Sequence, residues 1–188
     1  SALRKLFAAA GRPDVIRTHP HGYLLRLSAR ELDSEQFSEL LAEARRHTGD
    51  GDLDAAATTL RRALGLWHGV ALADVDSELV KRGAALLEDR YLSSLEERLR
   101  LDLALGRHAS VIDELGALIY KHPLRERLYE FLMLALYRSG RPAESLEVAR
   151  RARSVLAEEL GIEPGTQLVE LERAILNRRP SLDAEQEA

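Results

Sequence analysis

The sequence contains no cysteine, so disulfide bonds, thiolate metal sites and cysteine nucleophiles are all excluded. No apolar run approaches the roughly 20 residues needed to cross a bilayer, and no segment has the pattern of a signal peptide. Hydrophobic residues nevertheless make up 45% of the 188 residues, which is enough to build a folded core. We therefore expect a folded cytoplasmic protein with no membrane partner.

The sequence also lacks the short motifs of common enzymes. It has no GxxxxGK[ST] or GxGxxG loop for phosphates, no GxSxG turn and no HExxH helix. His19 and His21 flank a proline and could share a metal ion only with a distant third ligand. Asp74, Asp76 and Glu78 precede a predicted helix, where capping and dipole compensation explain them better than calcium binding. We predict a protein that is not an enzyme and has no catalytic, cofactor-binding or metal-binding residues.

Positive charge is concentrated at the start of the chain. Residues 1–30 contain six basic side chains and one acidic one, and therefore carry a net charge of +5. Because the whole chain carries −4, the remaining residues carry −9. A basic head on an acidic body indicates a polyanionic partner for the head alone. Short basic stretches are also common on ordinary protein surfaces, so charge by itself leaves DNA binding open.

The basic head has a distinct predicted structure. Residues 1–10 have helical composition, with Leu3, Leu6 and Phe7 on one face, and Gly11 and Pro13 end this helix. Two short β-prone runs, VIRT and YLLRL, then flank the turn sequence HPHG. This pattern predicts a β-hairpin, and it is the only strand signal in the chain.

From Asp33 onward the sequence predicts helices. Asp33 is a predicted N-cap, with Gln36 at the spacing of a capping box. Ile162 follows Gly161 and is the predicted hydrophobic contact of a Schellman ending. Glycines and prolines divide the periodicity into helices at about 33–49, 52–64, 77–105, 108–121, 124–138, 142–160 and 165–178. The longest helix has a predicted apolar stripe of Leu86, Leu87, Tyr91, Leu95, Leu99 and Leu103.

A repeat relates these helices to one another. The sequence GRHA at 106–109 aligns with GRPA at 140–143 after an offset of 34 residues, the period of tetratricopeptide (TPR) repeats. The sequence GDLD at 51–54 is a looser third instance, and the apolar residues that follow the glycines also align. Single hairpins cannot cover their own apolar faces, so neighbouring hairpins stack. The spacing predicts a mainly α fold of TPR-like antiparallel helical hairpins.

Two other features have a structural and a functional interpretation. Trp67, the only tryptophan, either anchors a partner or packs between two helix pairs, and we favour packing. The charged runs Glu96-Glu97-Arg98 and Arg150-Arg151 are interpreted as solvated helix faces.

Several segments resemble the bacterial transcriptional activator domain of the SARP family, the antibiotic-pathway regulators of actinobacteria. They include LRRALGLWHGVALADV at 60–75 and LEDRYLSSLEERLRLDLALGRHASVIDEL at 87–115. The resemblance covers roughly residues 32–180, although Asp76 stands where the family often has proline. Its most specific motifs are HPLRERL at 122–128, ALYRSGR at 135–141 and EELGIEPG at 158–165.

The segment at 3–27 resembles the end of the OmpR-type winged helix that precedes this domain in the family. On that resemblance residues 2–10 finish the recognition helix, and residues 14–18 and 22–27 form the wing. The wing is one residue shorter than usual, since only Gly22 precedes Tyr23. The leading strands and first two helices are absent, which implies a truncated winged helix and argues against DNA binding by this chain alone. The implied DNA-contacting residues are Arg4, Lys5, Arg17, His19 and His21.

The resemblance implies a domain division into residues 1–30, 31–180 and a polar, frayed tail at 181–188. It implies an activator that binds direct repeats in promoter DNA, forms a homodimer and recruits RNA polymerase through its helical domain. The alternative is a TPR-like interaction or adaptor module without DNA binding of its own.

Overall fold

The computed structural model describes residues 2–28, 31–73 and 77–183. Within these ranges the chain forms eight α-helices and one two-stranded antiparallel sheet, so the predicted mainly α fold is confirmed. None of the helices in these ranges is long and apolar enough to span a membrane. The elements are α1 (Ala2–Ala9), β1 (Ile16–His19), β2 (Gly22–Leu25), α2 (Asp33–Gly49), α3 (Leu53–Leu64), α4 (Glu78–Ala104), α5 (His108–Lys121), α6 (Glu126–Arg138), α7 (Pro142–Leu160) and α8 (Thr166–Leu176).

The three glycines of the predicted repeat end their helices in the same way. Gly51, Gly106 and Gly140 have φ angles of +81°, +75° and +76°, a left-handed conformation that glycine adopts without strain. In each case the glycine N–H bonds to the carbonyl three residues back, and the next N–H bonds five residues back. These are Schellman endings, which satisfy the last helical carbonyls and reverse the chain. The repeated glycine spacing therefore has a shared structural basis.

The helices stack as successive hairpins. α2 packs against α3, α3 against α4, and α6 against α5, α7 and α8. The aligned apolar positions Leu115 and Ala149 are both fully buried. One buried cluster is centred on α2 and α3 and includes Leu101 of α4, and a larger one spans α4 to α8. α4 thus joins the first hairpin to the rest of the body.

Three local predictions in the helical body are wrong. Leu86 is 69% exposed because the tight packing of α4 begins only near Ser94, although Leu95, Leu99 and Leu103 are buried as predicted. Asp33 is the first helical residue and not the N-cap, and its carboxylate accepts the N–H of Ser34. Gly161 is left-handed as predicted, but Ile162 N–H points to the carbonyl of Leu156, six residues back, and its side chain is half exposed.

The start of the predicted polar tail is docked and not frayed. Residues Pro180–Leu182 form a 3-10 helix, and Leu182 packs against the larger cluster. The Leu182 carbonyl accepts a hydrogen bond from Arg138 Nε at 2.7 Å. The other tail residues, 184–188, lie outside the described residues, as do Asp74 and Asp76 of the acidic cluster. Glu78, the third member, is exposed and lies 3.5 Å from Lys81 Nζ.

Candidate functional site

Arg4 connects α1 to the β-hairpin. Its guanidinium donates a hydrogen bond to the Thr18 hydroxyl at 2.6 Å, and lies 5.5 Å from the centre of the Tyr23 ring. Strands β1 and β2 pair from Ile16 opposite Leu25 to His19 opposite Gly22. Thr18 and Tyr23, the two residues that Arg4 contacts, therefore both lie on the hairpin. Arg4 therefore holds the hairpin against α1, in addition to any contact with a partner.

The other four residues predicted to contact DNA are exposed on the same head. Lys5 lies on α1, and Arg17 on β1 is 3.8 Å from the Asp14 carboxylate. His19 ends β1 and His21 lies in the two-residue turn, with their ring centres 6.3 Å apart. No group of three His, Asp or Glu side chains suited to a metal ion occurs among the described residues. The hairpin thus presents one arginine and two imidazoles to solvent.

A polar joint connects the head to the body. The Glu31 carboxylate accepts hydrogen bonds from the backbone N–H and hydroxyl of Ser28, at 2.8 and 2.9 Å, and pairs with Arg12. The bonds from Ser28 and then the charge of Arg12 lower the pKa of Glu31. Within the head, the Arg26 N–H bonds to the carbonyl of buried Val15 at 2.7 Å. These contacts tie both ends of the hairpin to the segment that leads into α2.

A buried ion-pair network joins the first hairpin to α4 and α5, and the sequence interpretation missed it. Asp102 is 1% exposed and pairs with Arg61 of α3, with Arg98 at 3.0 Å and with Arg107 at 3.0 Å. Arg98, predicted to lie on a solvated face, is 5% exposed and also pairs with Glu114. The Arg98–Asp102 spacing of i, i+4 was the available signal.

The pKa of Asp102 reflects opposing effects. Burial raises the pKa of this carboxyl, but hydrogen bonds from Arg107 and Arg98 and the charge of Arg61 lower it further, so the pKa lies below its usual range. The carboxylate therefore stays ionised and compensates the buried guanidinium of Arg98. Breaking such a network leaves an unpaired buried charge.

The motifs that carry the family resemblance hold the helices together. Arg125 pairs with Asp89 at 3.0 Å and Glu96 at 3.1 Å, which ties α6 to α4. Tyr129 is fully buried and donates its hydroxyl proton to the Pro123 carbonyl at 2.9 Å. Residues in these motifs are thus occupied by contacts within the chain.

Trp67 packs between the first two helical units, as the structural interpretation expected. Its ring lies 6.0 Å from Phe37 of α2 and stacks on Tyr91 of α4, with 4.8 Å between ring centres. The side chain is half-buried, and His68 beside it bonds through Nδ1 to the Leu66 carbonyl at 2.8 Å. Trp67 therefore fastens the connector between α3 and α4 to both neighbouring helices.

The geometry defines a TPR-like helical-repeat protein whose body follows a basic head with a β-hairpin. A model of the family described as "Bacterial transcriptional activator domain" matches residues 32–176. This match covers most of the chain, so the chain belongs to the bacterial transcriptional activator domain family, as the resemblance predicted. The family and the relatives below are described as transcriptional regulators and not as enzymes.

Two of the curated relatives are regulators from Streptomyces. The chain is 42% identical over 171 residues to the Regulatory protein DnrI of Streptomyces peucetius, a match covering 90% of this chain and 63% of DnrI. It is 44% identical over 176 residues to the Regulatory protein AfsR of Streptomyces griseus, covering 94% of this chain and 18% of AfsR. The chain therefore spans less than two thirds of the length of either relative. The predicted SARP-type relationship is confirmed.

A solved structure shares the fold. The structure titled "Mycobacterium tuberculosis EmbR in complex with low affinity phosphopeptide" superposes with a TM-score of 0.85 at 34% identity. The superposition covers 95% of this chain and 48% of the EmbR chain. This is a larger share than residues 32–176 can provide, so it includes part of the head.

Proposed function

We propose that this chain is part of a transcriptional activator of the SARP type, which binds promoter DNA and recruits RNA polymerase. The observation that carries the proposal is that the likeness to regulators extends over both the body and the basic head. AfsR matches 94% of the chain, and the superposition on EmbR covers 95%. Such a regulator works beside DNA in the cytoplasm, which agrees with the charge pattern of the chain.

The head supplies the DNA contacts in this proposal. Residues 1–30 are the end of a winged helix, in which α1 ends the recognition helix and the hairpin is the wing. Lys5, Arg17, His19 and His21 are exposed and therefore free to approach phosphates or base edges. Arg4 contributes chiefly by holding the wing against α1, because its guanidinium bonds to Thr18.

The body supplies the protein contacts. Residues 31–180 act as a rigid stack of helices that forms a homodimer and contacts RNA polymerase, and the two copies bind direct repeats. Arg125 and Tyr129, at the start of α6, are engaged in contacts within the chain. In this proposal the polymerase therefore contacts other residues of the body. The buried network around Asp102 keeps those surfaces in a fixed arrangement.

The test uses the natural gene product that contains this chain and DNA from the promoters of its own gene cluster. We expect binding that weakens steeply with salt, because phosphate neutralisation releases counterions. Lys5→Ala and Arg17→Ala should each lower affinity and reduce the slope of log K against log salt by about one. Arg46→Ala, an exposed arginine of α2, is the matched control and should leave both unchanged. Salt-independent binding, or no binding at low salt, contradicts the proposal.

A second candidate is an interaction or adaptor module without DNA binding of its own. The observation that favours it is that the family model matches only residues 32–176, which are the helical body. In that case the gene product captures a protein other than polymerase, and the head substitutions leave its function unchanged. Run-off transcription from the same promoters, with and without the gene product, separates the two candidates.

A further inference from the structure

A cleft opens between α2 and α4, where a regular helical stack would place the two helices side by side. Its volume is about 290 Å³, and it is lined by both helices and by Leu60 of α3. Leu41, Ala44 and Leu60 are its three apolar lining residues, and each is at most 7% exposed, so they contribute only a small apolar area. Arg45, Asp89, Arg90 and Glu97 add charged groups to the lining. The cleft therefore combines aliphatic surface with charge at a place where helix packing is interrupted.

The two carboxylates of the cleft are already paired within the chain. Asp89 lies 3.0 Å from a guanidinium nitrogen of Arg125. Glu97 accepts two hydrogen bonds from Arg100, at 2.7 and 2.9 Å. The hydrogen bonds from Arg100 lower the pKa of Glu97, so this carboxyl remains ionised and engaged. Both carboxylates of the cleft therefore already have an arginine partner within the chain.

The two arginines of the cleft, Arg45 and Arg90, have no carboxylate partner among the described residues. Arg90 donates a hydrogen bond to the neutral Ser38 hydroxyl at 3.0 Å and lies 5.8 Å from the centre of the Phe37 ring. Arg45 is exposed on α2. Neither of them forms an ion pair with any residue in the described parts of the chain. On a body that carries net negative charge, these two guanidinium groups are the uncompensated charges of the cleft.

We propose that the α2–α4 cleft binds an acidic segment of a partner protein that carries a leucine-like side chain between its carboxylates. The carboxylates pair with Arg45 and Arg90, and the aliphatic side chain packs on Leu41 and Leu60. Single-stranded nucleic acid also carries anions, but its bases need aromatic platforms, and no aromatic residue lines this cleft. The proposed function assigns protein contacts to the helical body, and this inference adds the chemistry of one such partner. It rests on the proposed function for the partner's identity in the cell.

The experiment measures binding of a short fluorescent peptide of repeated Asp-Asp-Leu triplets to the intact chain by anisotropy at low salt. Matched peptides replace the aspartates by asparagine, or the leucines by serine. We expect the acidic, leucine-containing peptide to bind at least about tenfold more tightly than either matched peptide, since a lost charge pair or buried leucine costs roughly 1.4 kcal/mol or more. An Arg45→Glu variant should lose this binding, and Arg46→Glu, the same change at the next exposed residue, should keep it.

The inference is overturned if Arg45→Glu and Arg46→Glu bind the peptide equally, if Lys5→Ala alone abolishes binding, or if single-stranded DNA competes at the same sites. Chemical shifts of the α2 and α4 amides locate the peptide independently of affinity, and shifts confined to the head also overturn it. Because the assay contains neither promoter nor polymerase, failure here leaves the proposed function intact. Failure of promoter binding, in turn, leaves this result unchanged.

Discussion

Glu126 accepts a hydrogen bond from the backbone N–H of Gly165, with 2.6 Å between Glu126 Oε2 and the nitrogen. Gly165 is the N-cap of α8, so this carboxylate compensates the positive end of the helix from outside it. A Cβ atom on residue 165 would lie 3.1 Å from the same oxygen, so glycine permits the approach. The contact joins HPLRERL to EELGIEPG, two motifs that are far apart in sequence.

We expect Glu126→Ala to destabilise the chain by about 1 kcal/mol, the usual cost of losing a helix cap. The measurement is the free energy of unfolding in urea. Glu170→Ala, an exposed glutamate on α8, removes the same charge without touching the cap and should change stability by less than about 0.5 kcal/mol. Equal effects of the two substitutions would show that general charge, and not the bond to Gly165, stabilises α8.

We expect Asp102→Asn to destabilise the chain more than Glu126→Ala does, by about 2 kcal/mol. The substitution removes the Asp102 carboxylate at 3.0 Å from Arg98, which is 5% exposed, and leaves this guanidinium with Glu114 as its remaining carboxylate partner. Arg61 and Arg107 are partly exposed and regain water, which reduces the cost. Thermal and urea unfolding measure the change. A near-neutral result would mean that the network contributes nothing to the joint between the first hairpin and α4.

The same carboxylate makes stability depend on pH in the acid range. The folded pKa of Asp102 lies below the unfolded value of 3.8, so its contribution is complete above that pH and is lost as pH falls through the folded pKa. Asp102→Asn should remove this part of the acid-induced loss. Parallel stability curves for the two proteins below pH 4 would contradict this assignment.

His108 is expected to cause a separate loss of stability at milder acidity. Burial, and then the charge of Arg138, lower the pKa of His108 from 6.5, so the unfolded chain binds this proton more readily than the folded chain. The folded state therefore loses stability as pH falls from 6.5 towards the folded pKa. His108→Asn should flatten the stability curve in this window, whereas Asp102→Asn should not. A wild-type slope in His108→Asn would contradict the prediction.

Two glycines with different backbone conformations test the repeat. Gly140 has φ of +76°, so Gly140→Ala imposes left-handed strain and should destabilise the chain by about 1 kcal/mol. Gly116 lies within α5, and a Cβ there meets no atom within 4 Å. Gly116→Ala should therefore stabilise the chain by roughly 0.5–1 kcal/mol, through helix propensity. Chemical denaturation of both variants provides the comparison, and effects of the same sign would exclude the Schellman explanation.

The sequence predicted the local elements well because their signals are local. Glycine and proline near helix ends were the main local signals, and the bounds of α2, α5 and α7 agree with those predicted from them. The same reasoning failed for Leu86 and Arg98, whose periodicity and charge suggested the reverse of their observed burial. Periodicity shows which residues share a helix face, but not whether another helix covers that face.

The candidate site likewise has a part that the sequence predicted and a part that only the structure shows. Composition alone identified the basic head, since net charge follows from residue type, and the family resemblance implied Lys5, Arg17, His19 and His21 as DNA-contacting residues, which stays a prediction. Neither could assign Arg4 to Thr18 and Tyr23, because a contact across fourteen residues depends on where the hairpin folds back.

The sequence by itself determined the helices, their glycine endings and the family, because these depend on residue type at fixed spacing. Only the tertiary structure decided which charges became buried partners and which remained open to another molecule. Asp102 and Arg45 are both ordinary charged helix residues in the sequence. Asp102 is surrounded by three arginines because α3, α4 and α5 pack around it. Arg45 faces a cleft because α2 is separated from α4 at that point.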